Sequence, residues 1–230
     1  MNRPTPLEMI TYAAECLGDL RDEVVFLGGA SVGLLITEPA APAPRMTRDV
    51  DVVMEILSRL DFYRAEQRLQ SLGFQHDLSG PVGRFLNGPL VLDLLPSDAQ
   101  ALGFGSRWYA LAIKTAWQHR LTGGTTIRVI SGPCFLATKL EAFQDPQREH
   151  SGDLFISRDF EDIVRVIDGR PGVVEEIHSA PQELRDFLAQ RFQALLQAPY
   201  LYEAIAAHTD PGREPALIDQ LRLVSLRGIG

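Results

Sequence analysis

The sequence predicts an α+β protein, a mixed sheet with flanking helices over residues 1–131 followed by a helical lobe over 132–230. Three observations carry this reading. Short β-forming runs alternate with helical stretches in the first part: VVFL at 24–27, DVDVVM at 49–54 and PLVLDLL ending at Leu95. The last of these follows VGRFLN across Asn87-Gly88, a hairpin signal, so the sheet contains antiparallel pairing. From residue 158 onward the apolar spacing is almost wholly helical, and the shift in composition near residue 132 divides the chain. A chain of 230 residues that is 45% hydrophobic is ample for a real core.

Taken in order, Leu7, Ile10, Ala14, Leu17 and Leu20 fall at helical spacing after Pro4 and Pro6, so residues 7–20 read as an amphipathic helix ending near Gly18 and Asp19. VVFL stops at Gly28-Gly29, and ASVGLLI at 30–36 resumes as a helix, giving strand, glycine turn, helix. Residues 37–47 carry three prolines and read as a loop or spacer. Ser58 caps a helix running to Leu72, which Gly73 stops. Pro89 stands at the start of the strand after the hairpin turn, and IRVI at 127–130 is a further strand. Pro133 then opens a helix through Phe143. RDFEDIVRVID closes at Gly169, and helical segments follow near 172–179, 181–197, 199–208 and 213–226. No internal repeat is visible.

The balance of 22 Lys+Arg against 30 Asp+Glu gives a net charge of −8, spread evenly along the chain. That excludes a globally basic nucleic-acid coat, because counterion release needs clustered cations, but leaves room for a local basic patch. Cys16 and Cys134 are the only thiols, too few for a disulfide framework or a cysteine zinc site, and they fit a reducing compartment. The N-terminal residues lack a continuous apolar stretch and no window approaches ~18 apolar residues, so a soluble, cytoplasmic protein without membrane partners is expected.

Chemistry concentrates in three places. Asp49 and Asp51 are two apart on a strand, so their side chains leave one face ~6.6 Å apart. Paired carboxylates repel unless a cation or an arginine sits between them, and oxygen-only ligands suit Mg²⁺ or Mn²⁺. An exposed strand end that merely solvates two acids is the plainer alternative. Asp93 lies among apolar neighbours in LVLDLL, where an unpaired carboxylate would cost several kcal/mol, so it needs a partner. Either it joins Asp49 and Asp51 in holding metal ions for phosphoryl or nucleotidyl transfer, or it pairs with an arginine such as Arg84 across the hairpin. Gly28-Gly29-Ala30-Ser31, between strand and helix, offers close backbone approach, free N–H groups and a hydroxyl to a phosphate. Trp108-Tyr109 is a possible base-stacking pair, with a core role as the alternative, and the five histidines show no ligand spacing.

The conjunction of FLGGASVGLL, RMTRDVDVV and VLDLL resembles the nucleotidyltransferase fold of the DNA polymerase beta superfamily. That signature is a Gly-Gly or Gly-Ser turn, an Asp-x-Asp pair on the next strand and a third Asp on a further strand. More narrowly, with ATKLEAF and SRDFEDIVRVIDGR, the chain looks like the AbiEii-type nucleotidyltransferase toxins over about residues 24–170, and departs from them in its proline-rich insertion between Ser31 and Asp49. The resemblance implies a nucleotidyltransferase-fold core over 1–131 whose active-site cleft the helical lobe over 132–230 completes. In that core Asp49, Asp51 and Asp93 would bind metal, with Asp93 activating the acceptor hydroxyl.

Gly28, Gly29 and Ser31 would hold the triphosphate, Lys139 would place its ammonium on the phosphates, and Asp159 and Asp162, on one helix face, would orient Lys139 or an arginine. For Asp159 a helix-capping role is the alternative. Arg45 and Arg48 would contact phosphate or pair with Asp49. The implied activity moves NMP from an NTP, with Mg²⁺ or Mn²⁺, to RNA, most plausibly the 3′ end of tRNA, as the toxin of a pair with a cognate antitoxin. Two alternatives stay open: the same chemistry on a small molecule or protein, and a non-catalytic module that keeps the fold to bind a protein.

Overall fold

The computed structural model of the chain describes residues 4–226. It resolves into two units: one holds the chain up to Leu34 together with Arg45–Ser131, the other holds Leu35–Pro44 together with the chain from Gly132.

The first unit opens with α1 (Pro6–Leu17), whose start is fixed by a capping box: the Thr5 hydroxyl accepts from the Glu8 N–H and the Glu8 carboxylate accepts from the Thr5 N–H, with Pro6 pre-set for the first turn. Met9, Ile10, Ala13, Ala14 and Leu17 form its buried stripe. The helix ends at Leu17, three residues before the spacing alone suggests, because Gly18 turns to φ 53° and the chain tightens into a 3₁₀ turn at Gly18–Asp22. β1 (Val24–Leu27) is buried at all four positions, so both of its faces are covered. After it come a 3₁₀ turn at Gly29–Ser31 and the one-turn helix α2 (Val32–Leu35), shorter than the 30–36 helix expected.

The remaining elements of this unit are β2 (Asp49–Met54), α3 (Arg59–Ser71, capped by Ser58), β3 (Gln75–His76), β4 (Arg84–Asn87), β5 (Leu90–Pro96), α4 (Ala99–Leu102), α5 (Tyr109–Thr115), β6 (Trp117–Arg120) and β7 (Thr126–Val129). β4 and β5 join through Gly88 and Pro89, with Gly88 at φ 56° supplying the positive φ of a tight hairpin turn. The seven strands form one mixed sheet in the order β3-β4-β5-β2-β1-β7-β6, parallel at β2–β5 and β1–β7 and antiparallel elsewhere. The fold is therefore α+β, as the sequence predicts.

Cross-strand register fixes which side chains share a face, because partners point the same way. Phe26, Val50, Val52, Phe85, Leu92, Leu94, Ile127 and Val129 make one buried face. Asp49, Asp51, Asp93 and Arg84 leave the other.

The second unit is helical: α6 (Gly132–Phe143), α7 (Arg158–Gly169), α8 (Val173–His178), α9 (Gln182–Leu196), α10 (Leu201–His208) and α11 (Glu214–Leu226). Its core gathers Phe135, Leu136, Leu140, Phe160, Ile163, Leu188 and Phe192. The proline-rich segment read as a loop or spacer of the first unit belongs here instead. Thr37 N–H and Glu38 N–H both donate to Gly169 O (2.8 and 2.9 Å), and Arg170 donates to Leu35 O (2.8 Å). Ile36 packs so closely on Gly169 that an added Cβ there would lie 2.7 Å from its Cγ1. These contacts place residues 35–44 with the second unit rather than within a continuous 1–131 block. No helix among the described residues is long and apolar enough to cross a membrane.

Candidate active site

The site in the first unit is built by two parallel strands and a turn. Asp51 on β2 is the register partner of Asp93 on β5, and Asp49 lies one pleat repeat away on the same face. Arg84, opposite Asp93 on β4, reaches across this face. Its Nε–H donates to Asp93 Oδ1 (2.8 Å) and its Nη2 to Asp93 Oδ2 (2.7 Å), a bidentate fork, while the same Nη2 stands 3.4 Å from Asp49 Oδ2. Side-chain exposure falls from 38% at Asp49 to 26% at Arg84 and 15% at Asp93, so the cluster is open at the Asp49 end. The Arg84 pKa is raised, first by its hydrogen bonds to Asp93 against the opposing effect of burial, then by the fields of Asp93, Asp49 and Asp51.

Of the two alternatives left open for Asp93, the pairing with Arg84 is the one observed, and it lies beside Asp49 and Asp51. Sequence reasoning named Arg84 only as the plain partner of Asp93. The signal for a larger role was its place across the hairpin, which puts it on the carboxylate face. Thr47 was missed entirely. Its hydroxyl donates to Asp49 Oδ1 (2.6 Å), and the spacing of two before Asp49 is the clue that was available.

Gly28 stands behind Asp51. At φ 72° and ψ −167° it occupies backbone space that is essentially restricted to glycine, and a Cβ built there would overlap the Asp51 carboxylate. The glycine turn therefore buttresses an acid as well as opening backbone space. Gly29 and Ser31 differ from expectation. Both are buried, and Ser31, fully enclosed, donates its hydroxyl to Leu27 O (3.0 Å), so in this arrangement the hydroxyl serves the turn and is not presented to a phosphate. The helix expected to begin here is a single turn, too short to add a sizeable dipole. Arg45 is half-buried and Arg48 exposed, both in the irregular approach to β2.

In the second unit Lys139 on α6 bonds two carboxylates of α7, Asp162 Oδ2 at 2.7 Å and Asp159 Oδ1 at 2.9 Å. Its side chain is 12% exposed and that of Asp162 only 1%. Burial alone would push the Lys139 pKa down; Asp162 and then Asp159 overcome it and leave it raised. Arg148 stands 3.8 Å from the other Asp159 oxygen. Asp159 does not cap α7, a duty taken by Ser157. Trp108 and Tyr109 are buried and so form no open stacking platform, and the histidines are dispersed, for example His76 on Glu66 and His208 on Leu154 O.

Among the described residues no group of three or more His, Cys, Asp or Glu side chains is arranged to hold a metal ion. Asp93 meets Arg84 through both oxygens, and Asp49 and Asp51 lie beside it on the same face. Two carboxylates on one strand face fit a hard cation such as Mg²⁺, which takes one or two protein carboxylates and completes its shell with water and substrate phosphates.

No protein-family model matches the chain, and no curated protein matches it. Among solved structures, the chain is similar to the crystal structure of an antigenic nucleotidyltransferase-like protein from Paracoccidioides brasiliensis, with a TM-score of 0.51 and 22% sequence identity, over 88% of this chain and 92% of that one. At that identity the likeness establishes a nucleotidyltransferase-like fold.

Proposed function

We propose that the chain is a divalent-cation-dependent nucleotidyltransferase that moves NMP from an NTP to an RNA acceptor, with the 3′ end of tRNA as the leading candidate. The observation that carries this is the in-register pair Asp51 and Asp93 beside Asp49, on one half-open sheet face and braced by Gly28. A structural ion pair alone would need only one acid for Arg84. Here three acids share one sheet face with Arg84, and Asp49, at the exposed end, meets its guanidinium only at 3.4 Å, which makes that end suited to a cation.

Asp49 and Asp51 would hold Mg²⁺ or Mn²⁺, which when bound polarises phosphoryl oxygens as a Lewis acid. In the transfer the acceptor hydroxyl oxygen bonds to the α-phosphorus, the bond from that phosphorus to the bridging oxygen breaks, and pyrophosphate departs. The hydroxyl proton passes to Asp93, whose orientation Arg84 fixes from behind. The resemblance to AbiEii-type toxins extends the proposal to growth inhibition held in check by a cognate antitoxin.

The test is incubation of the protein with each labelled NTP, Mg²⁺ and total RNA, followed by denaturing electrophoresis. Label in a tRNA-sized band is the expected result. Label in a protein or small molecule moves the acceptor, and no label with any NTP overturns the enzymatic reading.

A further inference from the structure

In a chain with net charge −8, the stretch between Asp98 and Glu141 contains Arg107, Lys114, Arg120, Arg128 and Lys139 and not one Asp or Glu. Four of those cations fall in the first unit, on or beside α5 and the β6–β7 hairpin, which ends the sheet. Arg128 is spent on structure, donating to Ile113 O at 2.7 Å. Arg107 lies over the Trp108 ring. Lys114 and Arg120 are exposed, and no acidic residue neighbours them in sequence.

The register locates Arg120. Its partner Thr126 and the next pair, Gln118 and Arg128, leave the same sheet face as Asp51, as traced through Trp117 opposite Val129, Val129 opposite Phe26, and Leu27 opposite Asp51. β6 is three strand steps from β2, a span of about 14 Å at ~4.8 Å per step. Beyond Arg120 the hairpin tip carries Thr122, Gly123 and Gly124, all exposed, and a Cβ at Gly123 would meet nothing within 4 Å. Arginine, hydroxyls and accessible glycine backbone are the groups that grip phosphate oxygens without reading bases.

We infer that α5 and the β6–β7 hairpin form a docking edge for the phosphodiester backbone of an RNA acceptor, with Lys114 and Arg120 as its principal cations. This rests on the nucleotidyltransferase reading and adds to it where the acceptor lies: across the sheet edge, its reactive end toward β2. The edge reads charge and not sequence, so binding is uniform across RNA sequences and steeply salt-dependent.

The experiment measures binding of fluorescein-labelled unfractionated tRNA to the full chain by anisotropy across a salt series. It compares wild type with Lys114→Glu/Arg120→Glu and with Arg64→Glu, a charge reversal on the exposed face of α3 that controls for reversal away from the proposed edge. Circular dichroism checks the folds. Wild type should bind with a linear dependence on log salt. The double reversal should lose at least about tenfold in affinity, with the slope reduced by about 1 per contact removed. Arg64→Glu should change little.

In transfer assays the RNA KM should rise in the double variant while kcat and the NTP KM stay put. Wild-type affinity and slope retained in the double variant, equal losses in Arg64→Glu, a change confined to the NTP KM, or no tRNA binding by wild type would each overturn the docking edge. Failure of wild type to transfer NMP to RNA while the double reversal still abolishes tRNA binding would instead overturn the transfer reading and leave the edge standing.

Discussion

The two acid–base clusters of this chain both gather aspartates around a basic side chain, and they differ in burial. In the first unit Arg84 forms a bidentate pair with Asp93 and stands 3.4 Å from Asp49, part-exposed, with Asp51 on the same sheet face. In the second, one lysine bonds two carboxylates in near-complete burial, and Arg148 stands by the outer one. The first cluster opens to solvent at Asp49, the end where the proposed cation would enter. The second is nearly buried and ties α6 to α7, so its removal should cost the fold first. Burial separates an open cluster from a structural one more clearly than residue type does.

The largest stability effect expected is therefore at Lys139. Lys139→Ala strands Asp162 in the interior and should destabilise the chain by about 3–5 kcal/mol, the usual cost of breaking a buried pair, measured by urea unfolding. Because its folded pKa is raised, the stabilisation is complete below the unfolded lysine value of ~10.4 and is lost only as pH rises past the folded one. The deficit of the variant should accordingly be constant from pH 6 to 9, taken as roughly the span in which neither state of a lysine titrates appreciably. Lys139→Arg separates the structural role from the phosphate contact implied by the family resemblance. Stability largely recovered with turnover still low would favour a part in the reaction, and both recovered together would mark a purely structural lysine.

Next in size is Gly28→Ala. Alanine must enter backbone space costing about 1–3 kcal/mol and displace the Asp51 carboxylate, so a moderate stability loss should accompany a loss of Mn²⁺ binding, followed by electron paramagnetic resonance. Mn²⁺ affinity unchanged from wild type would show that Asp51 does not depend on this buttress.

What was legible in the sequence follows the same physics. Asp49 and Asp51 could be placed on one strand face because strand parity is local, Asp93 on a buried strand because its apolar flanks are, and Gly28 at a turn because a glycine pair stops a strand visibly; bringing the three acids together rested on the family resemblance. The pairing of Arg84 was foreseeable from the hairpin, but its reach to Asp49 depended on β2 lying parallel to β5, which no local pattern encodes. Ser31 misled because a hydroxyl after a glycine turn looks available until the buried Leu27 carbonyl claims it. The strap at 35–44 was unreadable for a related reason: prolines announce the absence of regular structure, while its anchor, Gly169 O, lies far along the chain. The β6 strand, four residues alternating in exposure at the sheet edge, gives too short a pattern to stand out.

Arg84→Gln comes third. It removes two short hydrogen bonds to Asp93 and the longer contact with Asp49, so about 1–3 kcal/mol should be lost in metal-free buffer. The comparison sharpens when Mg²⁺ is added. If the open end of this face is a cation site, Mg²⁺ should raise the Tm of the variant more than that of wild type, because the guanidinium no longer competes for the same field. Equal shifts would put the divalent cation elsewhere.

The smallest stability effect, with the largest effect on chemistry, should come from Asp49→Asn. Asp49 is more exposed than Asp93, its contact with Arg84 is long at 3.4 Å, and an asparagine oxygen can still accept from Thr47. Removing its charge also eases repulsion with Asp51, so stability should stay within about 0.5 kcal/mol of wild type, the usual range for a surface substitution. Mn²⁺ binding and NMP transfer should nevertheless fall by at least about 100-fold, since an amide is a far poorer ligand for a hard cation than a carboxylate. The contrast with Lys139→Ala is the deciding one. If Asp49→Asn instead costs several kcal/mol and leaves Mn²⁺ affinity intact, the first cluster is as structural as the second, and the cation site proposed at its open end does not exist.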